Sequence, residues 1–304
     1  MSSGKRPPAW RADLALAAIA FIWGATFILV KEALADMPVL LFLAVRFSFA
    51  AVLLAAIVGF SQGRSGLRRS VVGGVVAGTL LFGGYALQTF GLRFTSASKA
   101  GFLTGLYIPL VPIFGAMIYR RTPHLSEGVG VALAFAGTAL MSIQGDLLSV
   151  GRGDALVAGC AVVYALHIVV LGHFAKIADV GWLAALQIAT AAAWGWITCW
   201  AEPLRVHWSA TLWTALAVTS VFATAFAFVT QTWAQKYTTA TRTALVFSLE
   251  PVFAWLASYV AAGELLTGRA LAGAALILAG ILVAELKPLR WRAHQQLSDE
   301  AHPS

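Results

Sequence analysis

Charged residues are scarce in this sequence of 304 residues. Asp, Glu, Lys and Arg together make up 11% of the chain, whereas hydrophobic residues make up 60%, and the mean hydropathy is +0.81. An ordinary soluble domain has about 25% charged residues. The composition therefore excludes a soluble globular protein and indicates an integral membrane protein.

Cysteine is almost absent, and so are the short motifs of catalytic and nucleotide-binding sites. Cys160 and Cys199 both fall within apolar runs, so we expect two small buried side chains and neither a disulfide nor a metal site. No His-Glu-x-x-His, Gly-x-Ser-x-Gly or Gly-x-x-x-x-Gly-Lys motif occurs. We therefore expect no cofactor, no enzymatic activity and no ATP hydrolysis by this chain.

Positive charge is in excess, with a formal net charge of +8. The cations stand singly or in small groups between apolar runs, which is typical of a membrane protein and argues against a nucleic-acid partner. If the apolar runs cross the membrane alternately, fourteen basic residues fall on the side of the N-terminus and six on the other. This asymmetry predicts a multi-pass protein of the cell inner (plasma) membrane with both termini in the cytoplasm. We see no removable signal peptide.

Ten apolar runs are long enough to span a lipid bilayer, which takes about 17 to 25 helical residues. The sequence therefore predicts an all-α integral membrane protein. The ten runs, called spans 1 to 10, are Leu14 to Val30, Val39 to Phe60, Val71 to Leu92, Ala100 to Tyr119, Gly128 to Gly145, Ala155 to Phe174, Gly181 to Ala201, Thr211 to Gln235, Thr243 to Gly263 and Ala270 to Ala284.

Two of these spans contain a charged residue. Arg46 stands in span 2 among many strongly apolar residues, so that span should insert unaided. Glu250 stands in span 9 directly before Pro251. Because a charge is costly in lipid, we expect the Glu250 carboxylate to face protein or water.

The chain repeats itself. The segment Gln88 to Lys99 matches the segment Gln231 to Arg242 at an offset of 143, with eleven of twelve positions identical or chemically alike. Spans 1 to 5, in residues 13–145, therefore recur as spans 6 to 10, in residues 153–286, between polar tails at 1–12 and 287–304. Because five is odd, the second copy lies upside down relative to the first. The predicted fold is thus two inverted five-helix repeats, an architecture of secondary transporters.

Several motifs resemble those of one family, the drug/metabolite transporter superfamily, and within it the ten-helix exporters with two EamA domains. The resemblance covers roughly residues 13–286. The motifs that carry it are Trp23-Gly24-Ala25-Thr26-Phe27, Arg46 after Pro38, the repeated segment, Leu249-Glu250-Pro251-Val252 and Gly263-Glu264. This resemblance implies export of a small metabolite, with amino acids, purines and drugs among the substrates of similar proteins. The two repeats differ from each other in these motifs. In the first repeat, Arg121 stands at the position that corresponds to Glu264, and Tyr107 at the position that corresponds to Glu250. In the second repeat, Tyr164-Ala165 stands at the position that corresponds to Trp23-Gly24.

Polar and aromatic residues inside the spans predict where a substrate binds. Such groups face the interior of a helix bundle, and here they share helix faces, as Tyr85 and Gln88 do. We expect a cavity between the repeats, lined by spans 1, 3, 4, 6, 8 and 9 and suited to a small amphiphilic ligand. The candidate substrate-binding residues are Trp23, Tyr85, Gln88, Tyr107, Tyr164, His167, Gln231 and Glu250.

Each candidate also has a purely structural interpretation. Gln88 and Gln231 are equally consistent with ordinary hydrogen bonds between helices. His167 is equally a core histidine, the tyrosines are equally aromatic residues of the membrane interface, and Glu250 is equally a structural partner of Arg46 or of a helix end.

Four further residues are candidates for gating. Lys99 and Arg242 are related by the repeat, and we expect them at the mouths of the pathway on opposite sides; contact with lipid headgroups is the alternative. Pro109 and Pro251, together with Pro112, are expected bending points in spans 4 and 9.

The sequence thus favours a secondary-active or facilitative transporter that exports amino acids, aromatic ones among them, or related metabolites by alternating access. Protons are a candidate coupling ion, and a monomer is compatible with the sequence. One alternative is a carrier of nucleotide sugars or phosphorylated metabolites, which would need cations at the centre of the cavity. The others are an intramembrane enzyme or scaffold without transport and, less favoured, a channel.

Overall fold

A computed structural model describes residues 9–61, 67–95, 97–120, 124–142, 151–262 and 267–285. These residues form helices and no strands. A 3₁₀ turn follows α8 at Cys199–Ala201, and a π-helix at Val221–Phe226 joins α9 to α10. The helices are α1 (Ala9–Ala33), α2 (Val39–Ser61), α3 (Leu67–Leu92), α4 (Ala97–Thr104), α5 (Tyr107–Tyr119), α6 (Leu125–Ser142), α7 (Arg152–Phe174), α8 (Val180–Thr198), α9 (Ala210–Ser220), α10 (Ala227–Tyr237), α11 (Ala240–Phe247), α12 (Glu250–Ala262) and α13 (Gly268–Glu285).

These helices confirm the prediction of an all-helical membrane fold with ten spans. Six helical stretches are long and apolar enough to cross a bilayer, and the two shorter stretches Leu125–Met141 and Gly268–Ala284 correspond to spans 5 and 10. Helix α1 is span 1, and the pair α11 and α12 forms span 9. Residues 1–8 and 287–304 of the predicted tails and the predicted motif Gly263-Glu264, like Arg121, lie outside the described residues, whereas residues 9–12 form the start of α1.

Spans 4 and 9 differ from the uninterrupted helices that the sequence predicts. Span 4 is interrupted at Gly105 and Leu106, and span 9 at Ser248 and Leu249, so each consists of two half-helices. The half-helices α5 and α12 carry proline in their first turn, where the missing N–H costs no hydrogen bond. The interruption falls just before the predicted bending prolines, because Pro109 and Pro251 have no N–H to continue the helical hydrogen bonds from the preceding turn.

The contact between α6 and α13 displays the inverted repeat most directly. A Cβ atom on Gly130 would lie 2.5 Å from the Gly280 carbonyl oxygen, and one on Gly137 would lie 2.5 Å from the Gly273 carbonyl oxygen. The offset of 143 exchanges these two contacts, since it relates Gly130 to Gly273 and Gly137 to Gly280. Only glycine allows the two backbones to approach this closely. Spans 5 and 10 therefore cross on the pseudo-twofold axis between the repeats.

The two repeats are interleaved. Span 3 packs against spans 6 and 7, and the repeat-related span 8 packs against spans 1 and 2. In the same way, the two half-helices of span 4 pack on span 6, and those of span 9 pack on span 1. The packed units therefore combine helices of both repeats, which places residues of both copies around the centre of the bundle.

Polar contacts at the helix ends identify the two faces of the bundle. We call the face where α1 begins and α13 ends the terminal face. There Arg242 at the beginning of α11 forms an ion pair with Asp13 of α1. On the opposite face, Thr95 donates a hydrogen bond of 2.6 Å to Asp154 of α7. The repeat relates Asp13 to Asp154, so each repeat anchors its first helix to the start of a broken span.

Exposed tryptophans mark the ends of the spans. Trp10 is exposed at the terminal face, and Trp200, Trp208 and Trp213 are exposed at the opposite face. Tryptophan is enriched at both membrane interfaces because its ring is apolar and its N–H is polar. The membrane therefore lies between these levels, and the cavity described next lies inside it. Cys160 and Cys199 are free and buried, as predicted.

Candidate functional site

A cavity of about 90 Å³ lies in the middle of the helix bundle. All eight residues that the sequence predicts for the substrate site line this one cavity. Three residues that it missed, Arg46, Phe228 and Phe247, also line it. Typical ligand pockets have roughly 300–1,000 Å³, so the structure shows the cavity in a contracted state. The eight predicted residues are Trp23, Tyr85, Gln88, Tyr107, Tyr164, His167, Gln231 and Glu250.

A row of four aromatic rings lines the cavity, and the pseudo-twofold axis relates one half of the row to the other. The centroids of Tyr85 and Tyr164 are 5.8 Å apart, and those of the repeat-related pair Phe228 and Trp23 are 5.7 Å apart. Tyr85 and Phe228 meet at 6.3 Å in the centre. Edge-on and tilted contacts at these distances are favourable. The aromatic wall is therefore nearly symmetric, although the four side chains are not identical.

Arg46 is the cation of the cavity and comes from span 2, which the predicted lining omits. Its side chain is 3% exposed. Its Nε donates to Thr224 Oγ1 at 2.8 Å, and one Nη donates to Tyr85 Oη and to the Ala223 carbonyl oxygen. The guanidinium carbon also lies 4.8 Å from the Tyr85 ring centroid, a cation–π contact. None of the described carboxylates forms an ion pair with Arg46.

The π-helix in span 8 supplies an acceptor to the cavity wall. The Ala223 carbonyl oxygen accepts a hydrogen bond from Trp23 Nε1 at 3.0 Å and another from Arg46 at 3.2 Å. A π-helix shifts the hydrogen-bond register, and such segments occur frequently at functional sites. Here the segment ties span 8 to spans 1 and 2. No residue pattern in the sequence predicts it.

Gln88 and Gln231 occupy repeat-related positions but differ in their hydrogen bonds. Gln88 has a partner at both ends of its amide, because its Nε2 donates to Thr104 Oγ1 at 3.2 Å and its Oε1 accepts from Tyr164 Oη at 3.1 Å. Gln231 donates through Nε2 to Gln235, but its buried Oε1 accepts no hydrogen bond from any described residue. Such orphaned buried acceptors are uncommon and call for an explanation.

Glu250 is the acidic residue of the cavity. It is the first residue of the half-helix α12 and is partly buried. Across the described ranges, its carboxylate has neither a hydrogen-bond donor nor a cation within ion-pair distance. A Cβ atom on Gly24 would lie 2.7 Å from the Glu250 carbonyl oxygen. The glycine after Trp23 thus allows α1 to contact the interruption of span 9, which accounts for that motif.

His167 is held from behind by a chain of buried polar groups. Its Nε2 lies 3.0 Å from Gln187 Oε1, Gln187 Nε2 donates to Thr232 Oγ1 at 3.1 Å, and the Thr232 hydroxyl donates to the Phe228 carbonyl oxygen at 2.6 Å. Gln187 is the residue that the repeat relates to Arg46. Equivalent positions therefore carry a cation in one repeat and a neutral amide in the other.

An apolar layer separates the cavity from the terminal face. Ile108 and Val111 of α5 are buried together with Phe247 in one cluster. Beyond this layer, a second hollow of about 520 Å³ lies between α5, the start of α6, the end of α7 and the start of α11. On α7, Ile168 lines the cavity and the next residue, Val169, lines the hollow. The two spaces therefore lie on either side of the same short stretch of α7.

The predicted gating residues have different outcomes. Arg242 forms the ion pair with Asp13 at the terminal face, about 30% exposed, rather than extending freely to the lipid headgroups. Pro109 and Pro251 lie directly after the interruptions of spans 4 and 9. The side chain of Lys99 lies outside the part of the chain that the structure describes.

Sequence reasoning missed residues whose signal is weak. Phe247 stands among many apolar residues, and nothing in its spacing separates a cavity wall from a lipid-facing surface. Phe228 shares a helix face with Gln231 and Gln235, which indicates the inner face, but it is not among the predicted substrate-binding residues. Arg46 had a clear signal, namely a charge inside an apolar run, but the sequence does not show that its side chain reaches the same cavity as Glu250.

Ten spans in two inverted repeats, with a polar cavity between them at the level of the half-helix ends, define a membrane transporter. Comparison with known proteins gives the family. The model of the EamA-like transporter family matches twice, over residues 10–143 and 151–286. The chain belongs to this family.

Relatives along nearly the whole chain are transporters of unknown substrate. An uncharacterized transporter of Archaeoglobus fulgidus is 32% identical over 91% of this chain and 86% of the relative. The uncharacterized transporter YvbV of Bacillus subtilis is 28% identical over 93% of this chain and 94% of the relative. A solved crystal structure at 23% identity has the same fold, with a TM-score of 0.77 over 91% of this chain and 97% of that one.

Proposed function

We propose that this protein is a secondary-active or facilitative carrier that exports amino acids or related small metabolites by alternating access. One observation carries the proposal: the cavity holds a cation, Arg46, and a carboxylate, Glu250, and neither has an ion-pair partner among the described residues. Unpaired buried charges are costly. A zwitterion that offers a carboxylate to Arg46 and an ammonium group to Glu250 compensates both at once.

The aromatic wall supports a substrate with an apolar side chain. Tyr85, Phe228 and Trp23 present ring faces and edges to the cavity, and Trp23 also contacts Phe247 with ring centroids 4.9 Å apart. Aromatic and aliphatic side chains pack well against such surfaces. Aromatic amino acids are therefore the first substrates to test.

Alternating access is supported by the contracted cavity and its closed terminal side. A substrate cannot reach the cavity from the terminal face unless the layer around Ile108 and Val111 separates. The half-helices of spans 4 and 9 end at the cavity, so their loops are natural hinges for such a movement. Because the repeats are interleaved, we propose that the moving units are spans 3, 4 and 6 against spans 8, 9 and 1, whereas spans 2 and 7 pack on each other across this division.

The orientation follows from the basic residues. There are fourteen basic residues on the side of the termini and six on the other side. This asymmetry favours a cytoplasmic terminal face in the inner (plasma) membrane. Export then begins at the hollow of about 520 Å³ on that face. Movement down the substrate gradient or in exchange for protons is compatible with Glu250 and His167 in the cavity, and the proposal assigns no chemical step.

The rival function, transport of nucleotide sugars or phosphorylated metabolites, is less well supported. Phosphate groups are recognised by several cations or by a bidentate arginine in a cationic setting. Among the described residues that line the cavity, Arg46 is the one arginine or lysine, and Glu250 lines the same cavity.

Counterflow in proteoliposomes tests the proposal. Vesicles with purified protein are loaded with one unlabelled amino acid at a time, and uptake of the same labelled amino acid is followed with and without a pH gradient. The expected result is transient, saturable accumulation of at least one amino acid. Absence of flux for every amino acid under both conditions, in protein that remains monodisperse, would overturn the proposal.

A further inference from the structure

Among the residues that the structure describes, three of the hydrogen-bond acceptors of the cavity-lining side chains have no donor. Two of them are the Glu250 carboxylate and Gln231 Oε1, for which the described residues offer no partner. Gln231 is fully buried. The third is a ring nitrogen of His167. The hydrogen bonds of its neighbours determine which of the two ring nitrogens carries the proton.

The hydrogen bonds that link His167 to Gln187 and Gln187 to Thr232 determine which ring nitrogen of His167 carries the proton. The Thr232 hydroxyl donates to a carbonyl oxygen, so it can only accept from Gln187, and the Gln187 amide must therefore direct its Nε2 toward Thr232. Its Oε1 then faces His167 Nε2, which must donate. In a neutral imidazole, the other nitrogen, Nδ1, is an acceptor. No described residue donates to Nδ1.

The three acceptors belong to one small region. His167 contacts Phe228 edge-on, with ring centroids 6.0 Å apart, and Gln231 stands one turn further along the same helix. Glu250 stands three residues after Phe247, which packs on Trp23, and Trp23 packs on Phe228. All three residues line the same cavity of about 90 Å³.

We infer that Glu250, Gln231 and His167 together bind the primary ammonium group of the substrate. An ammonium group has three N–H donors and no acceptor, which matches three acceptors, one of them negatively charged. This inference rests on the proposed function and sharpens it. The substrate class is unsubstituted α-amino acids, whereas α-hydroxy acids, N-acetylated amino acids and N-methylated amino acids lack one or more of the required donors.

The inference gives Gln187 a positioning role. Gln187 is fully buried and does not line the cavity, yet its Oε1 keeps the proton on His167 Nε2. Without that oxygen, the proton can move to Nδ1, and a donor then faces the ammonium group. Replacing Gln187 should therefore weaken recognition of the ammonium group without removing any group that touches the substrate.

A competition experiment tests the inference on wild-type protein in proteoliposomes. Counterflow of a transported amino acid is inhibited by that amino acid, by its N-methyl and N-acetyl derivatives, and by the α-hydroxy acid of the same side chain. We expect the N-methyl derivative to compete less well and the other two to be weaker by at least about tenfold, because a hydrogen bond to a charged group is lost. An α-hydroxy acid that competes equally well would overturn the inference and leave the proposed transport of small metabolites standing.

Variants test the same claim through one ratio, the half-inhibition concentration of the α-hydroxy analogue divided by that of the amino acid. Gln231→Leu, His167→Leu and Gln187→Leu should each lower this ratio by about threefold to tenfold. Thr79→Val is the matched control, because Thr79 is bonded only to its own helix and to Trp194 on the outer surface, and its ratio should equal that of wild type. A ratio unchanged in all three variants, in protein of wild-type melting temperature, would contradict the inference.

Discussion

The walls that the two repeats contribute to the cavity have similar shapes and different chemistry. Gln88 in the first repeat accepts and donates hydrogen bonds within the protein, whereas the repeat-related Gln231 leaves its oxygen without a donor. Tyr107 at the start of α5 corresponds to Glu250 at the start of α12. Arg46 corresponds to Gln187. The first repeat thus provides the positive charge and hydrogen-bonded polar groups, and the second provides the negative charge and open acceptors.

This difference explains how a duplicated fold binds an asymmetric molecule. The backbone framework keeps its pseudo-twofold symmetry in the glycine contacts of α6 and α13 and in the aromatic row. A perfectly symmetric cavity would offer the same group at both ends of a substrate. Divergence of a few side chains turns it into a site with a cationic and an anionic end, and the framework need not change.

Arg46→Gln should have the largest effect, because it replaces the cation with the residue type found at the repeat-related position. We expect substrate affinity to fall about 100-fold, since a charged partner is lost and Tyr85 and Thr224 lose their donor. The measurement is the half-saturation concentration in counterflow. Arg269→Gln is the control, because Arg269 donates to a carbonyl at the opposite face, and an equal loss in both variants would refute a specific role.

Glu250→Gln tests the other end of the comparison. It keeps the shape and an oxygen acceptor but removes the negative charge, so the affinity for an amino acid should fall about 10- to 100-fold, corresponding to roughly 1.5–3 kcal/mol. Glu202→Gln is the matched control, because Glu202 pairs with Arg93 near the opposite face, and its affinity should stay within about twofold. Unchanged transport and pH dependence in Glu250→Gln would return this acid to a structural role.

Substitution of Gln88 should mainly reduce the stability of the protein, whereas substitution of Gln231 should mainly reduce the affinity for the substrate. Gln88→Leu leaves the Tyr164 hydroxyl without its acceptor and leaves Thr104 Oγ1 with only its contact of 3.8 Å to Cys160 Sγ, so it should lower the free energy of unfolding by about 1–3 kcal/mol. Gln231→Leu removes an acceptor that is already unpaired, so its melting temperature should be closer to that of wild type while its affinity decreases. Thermal unfolding in detergent measures the first effect and counterflow the second; equal destabilisation by the two variants would contradict the distinction.

The ion pair at the terminal face should have the smallest effect. A partly exposed ion pair contributes about 0–1 kcal/mol, so Asp13→Asn should increase opening of that face by at most about fivefold. The measurement is the labelling rate of a cysteine introduced by Val111→Cys in the apolar layer, with Cys160 and Cys199 replaced by alanine. Asp154→Asn, at the repeat-related position, should not accelerate labelling from the terminal side; acceleration by both would show general loosening.

The sequence was sufficient for the coarse fold and for eight of the eighteen residues that line the cavity. The polar residues of spans 3, 6 and 8 predict an interior face because they are costly in lipid, and the structure brings Gln88, Tyr164 and His167 to one cavity as a result. The offset of 143 residues predicts the inverted repeat because five spans reverse the direction of the chain.

Other features were beyond prediction because they depend on tertiary contacts. The π-helix at Val221–Phe226 forms where Trp23 and Arg46 donate to span 8. The difference between Gln88 and Gln231 depends on whether a tyrosine hydroxyl from another span lies within reach. Identical residues in a repeated segment therefore acquire different roles through their neighbours.

A structure of the protein with a transported amino acid bound tests the account most directly. We expect one amino acid molecule in the central cavity, with its carboxylate within about 4 Å of Arg46. Its ammonium group should contact Glu250, Gln231 and His167. An amino acid bound in the reverse orientation, or only in the hollow beneath the apolar layer, would contradict it.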